Sequence, residues 1–181
     1  MKKVCVLLAD GFEEIEAITV IDLLRRANVF VDTVSITGDH TVHGGHGINV
    51  QSEDLFEEAD FAEMDMVVLP GGGVGTANLA EHPGVRRLIL DFNKDEKLLA
   101  AICAAPSIFG KLGILKGRRA TCYPGVEKDL HGTVIMDRSV VVDGNIITGR
   151  SAGGAIDFAL ALIEALFDRK KAKEIADAIV Y

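Results

Sequence analysis

Cysteine is scarce in this chain: Cys5, Cys103 and Cys122 are the only three in 181 residues, and no two form a CxxC. An odd, sparse set excludes a disulfide framework and points to a reducing, cytoplasmic setting. No Cys/His pairing has the spacing of a zinc site, so no metal is expected. Long apolar runs are also missing. The opening Met1-Lys2-Lys3 is followed by only six apolar residues before Asp10-Gly11 and then Glu13, Glu14 and Glu16. That run is too short for a signal peptide and has the wrong chemistry after it, and no stretch reaches membrane-spanning length. Basic clusters are few and the net charge is -8. An acidic chain repels phosphate backbones and anionic lipid heads, so neither nucleic acid nor a membrane is expected as a partner. The densest basic group, Arg169-Lys170-Lys171, reads as a solvated cap at the end of a helix. No phosphate loop occurs, since Gly110-Lys111 is followed by Leu112. Gly71 and Gly73 start a dinucleotide pattern that Thr76 breaks. Repeats, linkers and low-complexity tracts are absent, and residues 1–181 read as a single domain.

The composition that remains is globular, with 49% apolar and 25% charged residues. Val4 to Ala9 is apolar without alternation, as in a strand buried on both faces of a parallel sheet. Residues 13–27 then carry Ile15, Ala17, Ile18, Val20, Ile21, Leu24 and Ala27 at helical spacing, with acids first and Arg25-Arg26 last. Strands follow at 29–36, 66–70 and 98–102, and a short one at 118–123. Short strands flank a glycine-rich turn over 40–49, and 54–64 reads as a connector with one helical turn. The β-branched runs around Asp143-Gly144-Asn145 form a hairpin. Helices are expected near 83–92, 104–112, 153–167 and 170–180. Strands alternating with helices predict a mostly parallel sheet with helices on both faces. In such sheets functional groups gather beyond the carboxyl ends of the strands, here residues 10–16, 70–75 and 102–105.

Three segments at that edge carry candidate chemistry. In LLAAICAAPSIFG, Cys103 directly follows an apolar strand among Ala100, Ala101, Ala104 and Ala105. Small neighbours suit a nucleophile elbow, and a helix N-terminus there would favour thiolate. A buried structural cysteine fits the same spacing, and the residues alone leave both readings open. In LPGGGVGTANL the glycines permit close backbone approach and can present N–H donors to an oxyanion, or form a plain loop with no clear helix start. In GFEEIE, Glu13 and Glu14 read as complements to the helix dipole. Glu16 shares a face with Val20, Leu23, Leu24 and Ala27, which turns it toward the sheet edge as a candidate proton carrier of raised pKa. The histidines are scattered. His40, His43 and His46 share one glycine-rich turn, but their spacing is irregular and no acid is interleaved, so they read as a solvated loop; His131 reads as surface.

Together, LADGFEEIEAITVIDLLRRA, VVLPGGG, AAICAAPSIFG and TGRSAGGAIDFALALIEAL resemble the ThiJ/PfpI family, most of all its Parkinsonism-associated deglycase branch. The resemblance runs through nearly the whole chain in order. It implies a flavodoxin-like three-layer sandwich, a homodimer, a nucleophile at Cys103 and a protonated acidic partner at Glu16. It further implies backbone oxyanion donors at Gly72 and Ala104, a substrate or anion pocket with Arg150 and Gly73, and Pro106 after the elbow. The chain departs from relatives with histidine after the cysteine, where Ala104 stands, and from those with histidine at the position of Tyr123. His46 falls where some members place an anion-binding arginine. The implied activity is a cofactor-free glyoxalase or deglycase acting on methylglyoxal or related α-oxoaldehydes and their adducts. In it, a low-pKa Cys103 thiolate adds to the aldehyde and Glu16 shuttles the proton. The same site suits a redox sensor or chaperone-like protein that works by oxidation of Cys103. A peptidase or amidotransferase would need a histidine beside Cys103.

Overall fold

The computed structural model describes residues Met1–Tyr181. In chain order the elements are β1 (Lys3–Leu8), α1 (Glu14–Arg26), β2 (Phe30–Ser35), β3 (Thr41–His43), β4 (Asn49–Gln51), β5 (Asp54–Leu55) and β6 (Met66–Leu69). They continue as α2 (Gly73–Glu81), α3 (Pro83–Lys94), β7 (Leu98–Ile102), α4 (Pro106–Lys111), β8 (Arg119–Ala120), β9 (Val134–Ile135), β10 (Val140–Asp143), β11 (Ile146–Gly149), α5 (Ala155–Leu166) and α6 (Arg169–Ala178).

Seven strands form the central sheet in the order β10-β11-β7-β6-β1-β2-β5. All neighbours run parallel except the hairpin pair β10–β11. Strand pleating splits the buried residues between two layers. Val4, Val6 and Leu8 face the layer that holds Val20, Leu24, Phe158, Leu162 and Ile175 of α1, α5 and α6. Cys5 and Leu7 face the layer with Leu79, Val85, Ile89, Phe92 and Phe109 of α2, α3 and α4. The result is the flavodoxin-like sandwich, its parallel strands covered on both faces as their unbroken apolar runs require. No helix is long and apolar enough to cross a membrane.

Several expectations need correction. A helix does follow the glycine loop: α2 starts at Gly73, hidden in the sequence by three glycines of low helix propensity. The 54–64 connector has turns but no helix, and its first two residues add β5 to the sheet edge. Arg169-Lys170-Lys171 opens a helix instead of closing one. Asp168 caps α6 by accepting the Lys171 N–H at 2.8 Å. The 118–123 strand shrinks to β8, which pairs with β9 outside the main sheet. On α1, Ile15 and Ile18 are 57% and 42% exposed, so they lie on its outer face and Ala17, Val20, Leu23 and Leu24 form the core face.

Candidate active site

The C-terminal ends of β1, β6 and β7 bring three loops together. Cys103 follows β7 directly and has φ +66°, a left-handed conformation that costs a non-glycine residue about 1–2 kcal/mol. Neighbouring backbone holds it there. The Cys103 N–H donates to the Gly149 carbonyl at 3.0 Å, and the Cys103 carbonyl accepts the Tyr123 N–H at 2.8 Å. The strained turn and the alanines around it make the elbow that the sequence suggested. Tyr123 is thus a backbone neighbour of the cysteine, with its side chain half exposed.

Glu16, in the first turn of α1, is fully buried. Its Oε2 accepts the Gly71 N–H at 2.8 Å, Oε1 is buried without a hydrogen-bond partner, and the carboxyl interacts with the Cys103 thiol. Gly71 is the wedge between them: a Cβ there would lie 2.5 Å from Glu16 Oε2 and 2.6 Å from Cys103 Cβ. Gly72 has φ +92° and sits against the Gly11 carbonyl and the Glu13 N–H, so a side chain fits neither the conformation nor the space. The N–H groups of Gly72 and Ala104 both act on the Cys103 sulfur, favouring its charged form. Gly73 is exposed at the start of α2 with open space around its Cα.

Electrostatics revises the expected thiolate. Burial pushes the Cys103 thiol up to about 12, the adjoining Glu16 carboxylate adds to the rise, and the Gly72 and Ala104 N–H groups pull against it. The helix that was to stabilise a thiolate begins only at Pro106 and is six residues long. Burial likewise raises Glu16 to about 7, opposed by the bonds from Cys103 and Gly71 and helped by the charge of Glu13. At neutral pH the proton therefore stays on sulfur, and Glu16 is close to half ionised.

A raised carboxyl weakens the fold as it ionises. The folded protein holds the Glu16 proton up to about 7, whereas the ordinary carboxyl loses it near 4.5. This contribution to stability is therefore complete below about pH 4.5 and lost as pH rises through 7. Glu16→Gln keeps a neutral acceptor for Gly71. Urea melts should show the variant gaining on the wild type by about 3 kcal/mol between pH 4.5 and pH 8. A constant difference across that range would show that Glu16 titrates normally.

Arg150 follows Gly149, whose carbonyl accepts the Cys103 N–H; its guanidinium pairs with Asp137 at 2.6 Å and its charge acts on Cys122. The three histidines are solvent-exposed as expected, but an acid reaches His46 from α1. Glu14 is 5% exposed and does more than complement the helix dipole. Its Oε1 accepts the His46 N–H at 2.6 Å and its Oε2 meets the His46 ring at 2.8 Å. Burial works to raise Glu14, but these bonds and the Ile48 N–H outweigh it and hold the carboxyl at about 2. Glu13, Glu14 and His46 bring their side-chain polar atoms within 4.8 Å of one another, a cluster invisible to spacing because His46 is 32 residues from Glu14. A cavity of about 340 Å³ on the same sheet edge, lined by Asp10, Thr37, Asn78, Glu81 and His82, contains neither Cys103 nor Glu16.

A strained cysteine set against a buried carboxyl, at the carboxyl edge of a flavodoxin-like sheet, defines a thiol–carboxyl site. The DJ-1/PfpI family model matches residues 2–165, and the chain belongs to that family. It is 34% identical over 181 residues to protein dj-1beta of Drosophila melanogaster, covering 99% of this chain and 97% of that one. It is 30% identical to the glutathione-independent glyoxalase DJ-1 of Schizosaccharomyces pombe, covering 94% of each. Against DJ-1 homologs B and A of Arabidopsis thaliana the chain spans only 41% and 46% of their length. Among solved structures, a cysteine-to-alanine mutant of a DJ-1 superfamily protein from Salmonella typhimurium superposes with a TM-score of 0.96. Its identity is 40%, with coverage of 100% of this chain and 99% of that one. Oxidized DJ-1 of Toxoplasma gondii gives 0.96 at 32% identity, with the same coverage.

Proposed function

We propose that the protein is a cofactor-free glyoxalase of the DJ-1 type, converting methylglyoxal and related α-oxoaldehydes to hydroxy acids, with Cys103 as nucleophile and Glu16 as proton carrier. The observation that carries this reading is the fully buried Glu16 beside the Cys103 thiol, one oxygen on Gly71 and the other without a hydrogen-bond partner. A carboxyl near 7 exchanges protons in both directions at neutral pH.

The reaction balances without a redox partner. The Cys103 sulfur bonds to the aldehyde carbon as its proton passes to the Glu16 carboxylate. The former carbonyl oxygen meets the N–H groups of Gly72 and Ala104, then takes the proton to give a hemithioacetal. Glu16, ionised again, removes the proton from C1 and returns it to C2, while the C1 hydroxyl proton passes to the C2 oxygen. The electron pair of the C1–H bond moves to C2, leaving a thioester at C1 and a hydroxyl at C2. Water cleaves the thioester, frees the thiol and releases lactate and a proton. One carbon is oxidised and its neighbour reduced.

Methylglyoxal loss and lactate formation, followed without glutathione, test the reading. The expected result is equimolar conversion, with kcat/KM rising through about pH 7 as Glu16 ionises. No lactate, with Cys103 still open to alkylation, would remove the glyoxalase reading. The partial exposure of Cys103 beside a protonatable carboxyl supports the second reading, oxidation to a sulfinate that Glu16 stabilises. Intact mass after mild peroxide would then show two oxygen atoms on Cys103. The homodimer belongs to the same proposal, with the exposed Ile15 and Ile18 of α1 as apolar surface available to a second copy.

A further inference from the structure

The tip of the β3–β4 hairpin is tied down beside the cysteine site. The Gly11 N–H donates to the His43 carbonyl at 2.7 Å, and the Gly45 N–H to the Phe12 carbonyl at 2.9 Å. The His43 N–H donates to Asp10 Oδ1 at 2.8 Å. These contacts set the His46 ring 2.8 Å from Glu14 and 3.6 Å from Glu13 Oε2. Glu13 is mostly buried, and its own N–H donates to the Gly71 carbonyl at 3.0 Å, on the residue whose N–H binds Glu16. The His46 ring thus reaches the Glu13 carboxylate, whose charge acts on Glu16 and whose backbone shares Gly71 with it.

We propose that His46 is a positioning residue that sets, through Glu13, the pH at which the Cys103–Glu16 pair becomes reactive. The charge of Glu13 favours the proton on Glu16. A protonated His46 offsets that charge, so Glu16 ionises earlier and accepts the thiol proton more readily. When His46 loses its proton, Glu13 stands uncompensated and Glu16 holds its own proton to higher pH. Glu13 and Glu14 both favour the charged ring. Glu14, with both oxygens occupied by the hairpin, anchors the ring, and Glu13 transmits its charge. The other titratable side chains on these segments are Asp10, whose carboxylate accepts the His43 backbone N–H, and the exposed His40 and His43. A histidine gives this edge a charge that switches near neutrality, which an arginine would not.

The inference rests on Cys103 and Glu16 being the reacting pair but not on the substrate, so its readout is the pH profile of Cys103 alkylation by iodoacetamide. His46→Gln should move the midpoint up by about 0.3–0.5 pH units, the size of one screened charge interaction. His46→Arg should hold it at or below the wild-type value, and Glu13→Gln should lower it and shrink the effect of His46→Gln. In 0.5 M NaCl the shifts should contract. Equal displacement by His46→Gln and His46→Arg would mean that the ring only braces the hairpin and would overturn the proposal, as would superimposable profiles. Glu16→Gln separates the two failures. If it also leaves the profile unchanged, the Cys103–Glu16 pairing itself is wrong; if it alters the profile while the His46 variants do not, only the role of His46 falls.

Discussion

Cys103→Ala should reduce methylglyoxal turnover to the uncatalysed background, and Glu16→Gln should lower kcat by about 10²–10⁴-fold, the range of a positioned acid–base group. The two losses differ in kind. Removing sulfur removes the covalent intermediate, and no other cysteine replaces it: Cys5 and Cys122 are buried, and burial raises both thiols. Glutamine preserves the acceptor for the Gly71 N–H and the shape of the site but can neither take the thiol proton nor carry one from C1 to C2. Glu16→Gln should therefore still be alkylated, more slowly, at Cys103. The double variant should be no worse than Cys103→Ala alone, because groups acting as one unit are not additive. Lactate release by Cys103→Ala above background would assign the chemistry to another residue. Full activity in Glu16→Gln would make the carboxyl a structural neighbour. Circular dichroism melts at matched pH guard against loss of fold, and for Glu16→Gln the stability above pH 7 is expected to rise.

The parts of this site that were legible in the sequence are local. Cys103 stands out because an apolar strand ends on it among alanines, and a strand-end turn is written within five residues. Glu16 stands out because helical spacing fixes which way it faces. The unbroken runs at Val4–Ala9 and Leu98–Ile102 could only be strands covered on both faces. What escaped depends on partners distant in the chain. The anchor role of Glu14 needs His46 and Ile48, and the pairing of Arg150 with Asp137 needs two loops to meet. The proton on Cys103 escaped for the same reason. A helix N-terminus argues for thiolate, but burial and the Glu16 carboxylate, both tertiary facts, act against it. The elements that were missed, α2 and β5, carry weak local signals: glycines at a helix start, and an Asp-Leu pair that is a strand only because β2 lies beside it.

Gly71→Ala should damage activity out of proportion to the one methyl group it adds. The new Cβ would fall within 2.6 Å of both the Glu16 carboxyl and the Cys103 Cβ, and 3.0 Å from the Ile102 carbonyl. None of these can retreat easily. Glu16 is packed in the core, Cys103 is clamped by Gly149 and Tyr123, and the third contact is backbone. Overpacking of this kind costs about 1–3 kcal/mol of stability. The larger effect is on geometry, because relief must come from moving the carboxyl and the sulfur apart, and a displacement of about 1 Å in a reacting pair costs about 10²-fold in rate. Gly73→Ala, two residues along, is the matched control for stability, since a Cβ there meets nothing within 4 Å. Its melting temperature should equal or exceed that of the wild type. Any rise in KM would then assign Gly73 to the substrate pocket. If Gly71→Ala keeps wild-type kcat, the separation of Glu16 and Cys103 does not control the rate, and the direct proton transfer between them fails as the mechanism.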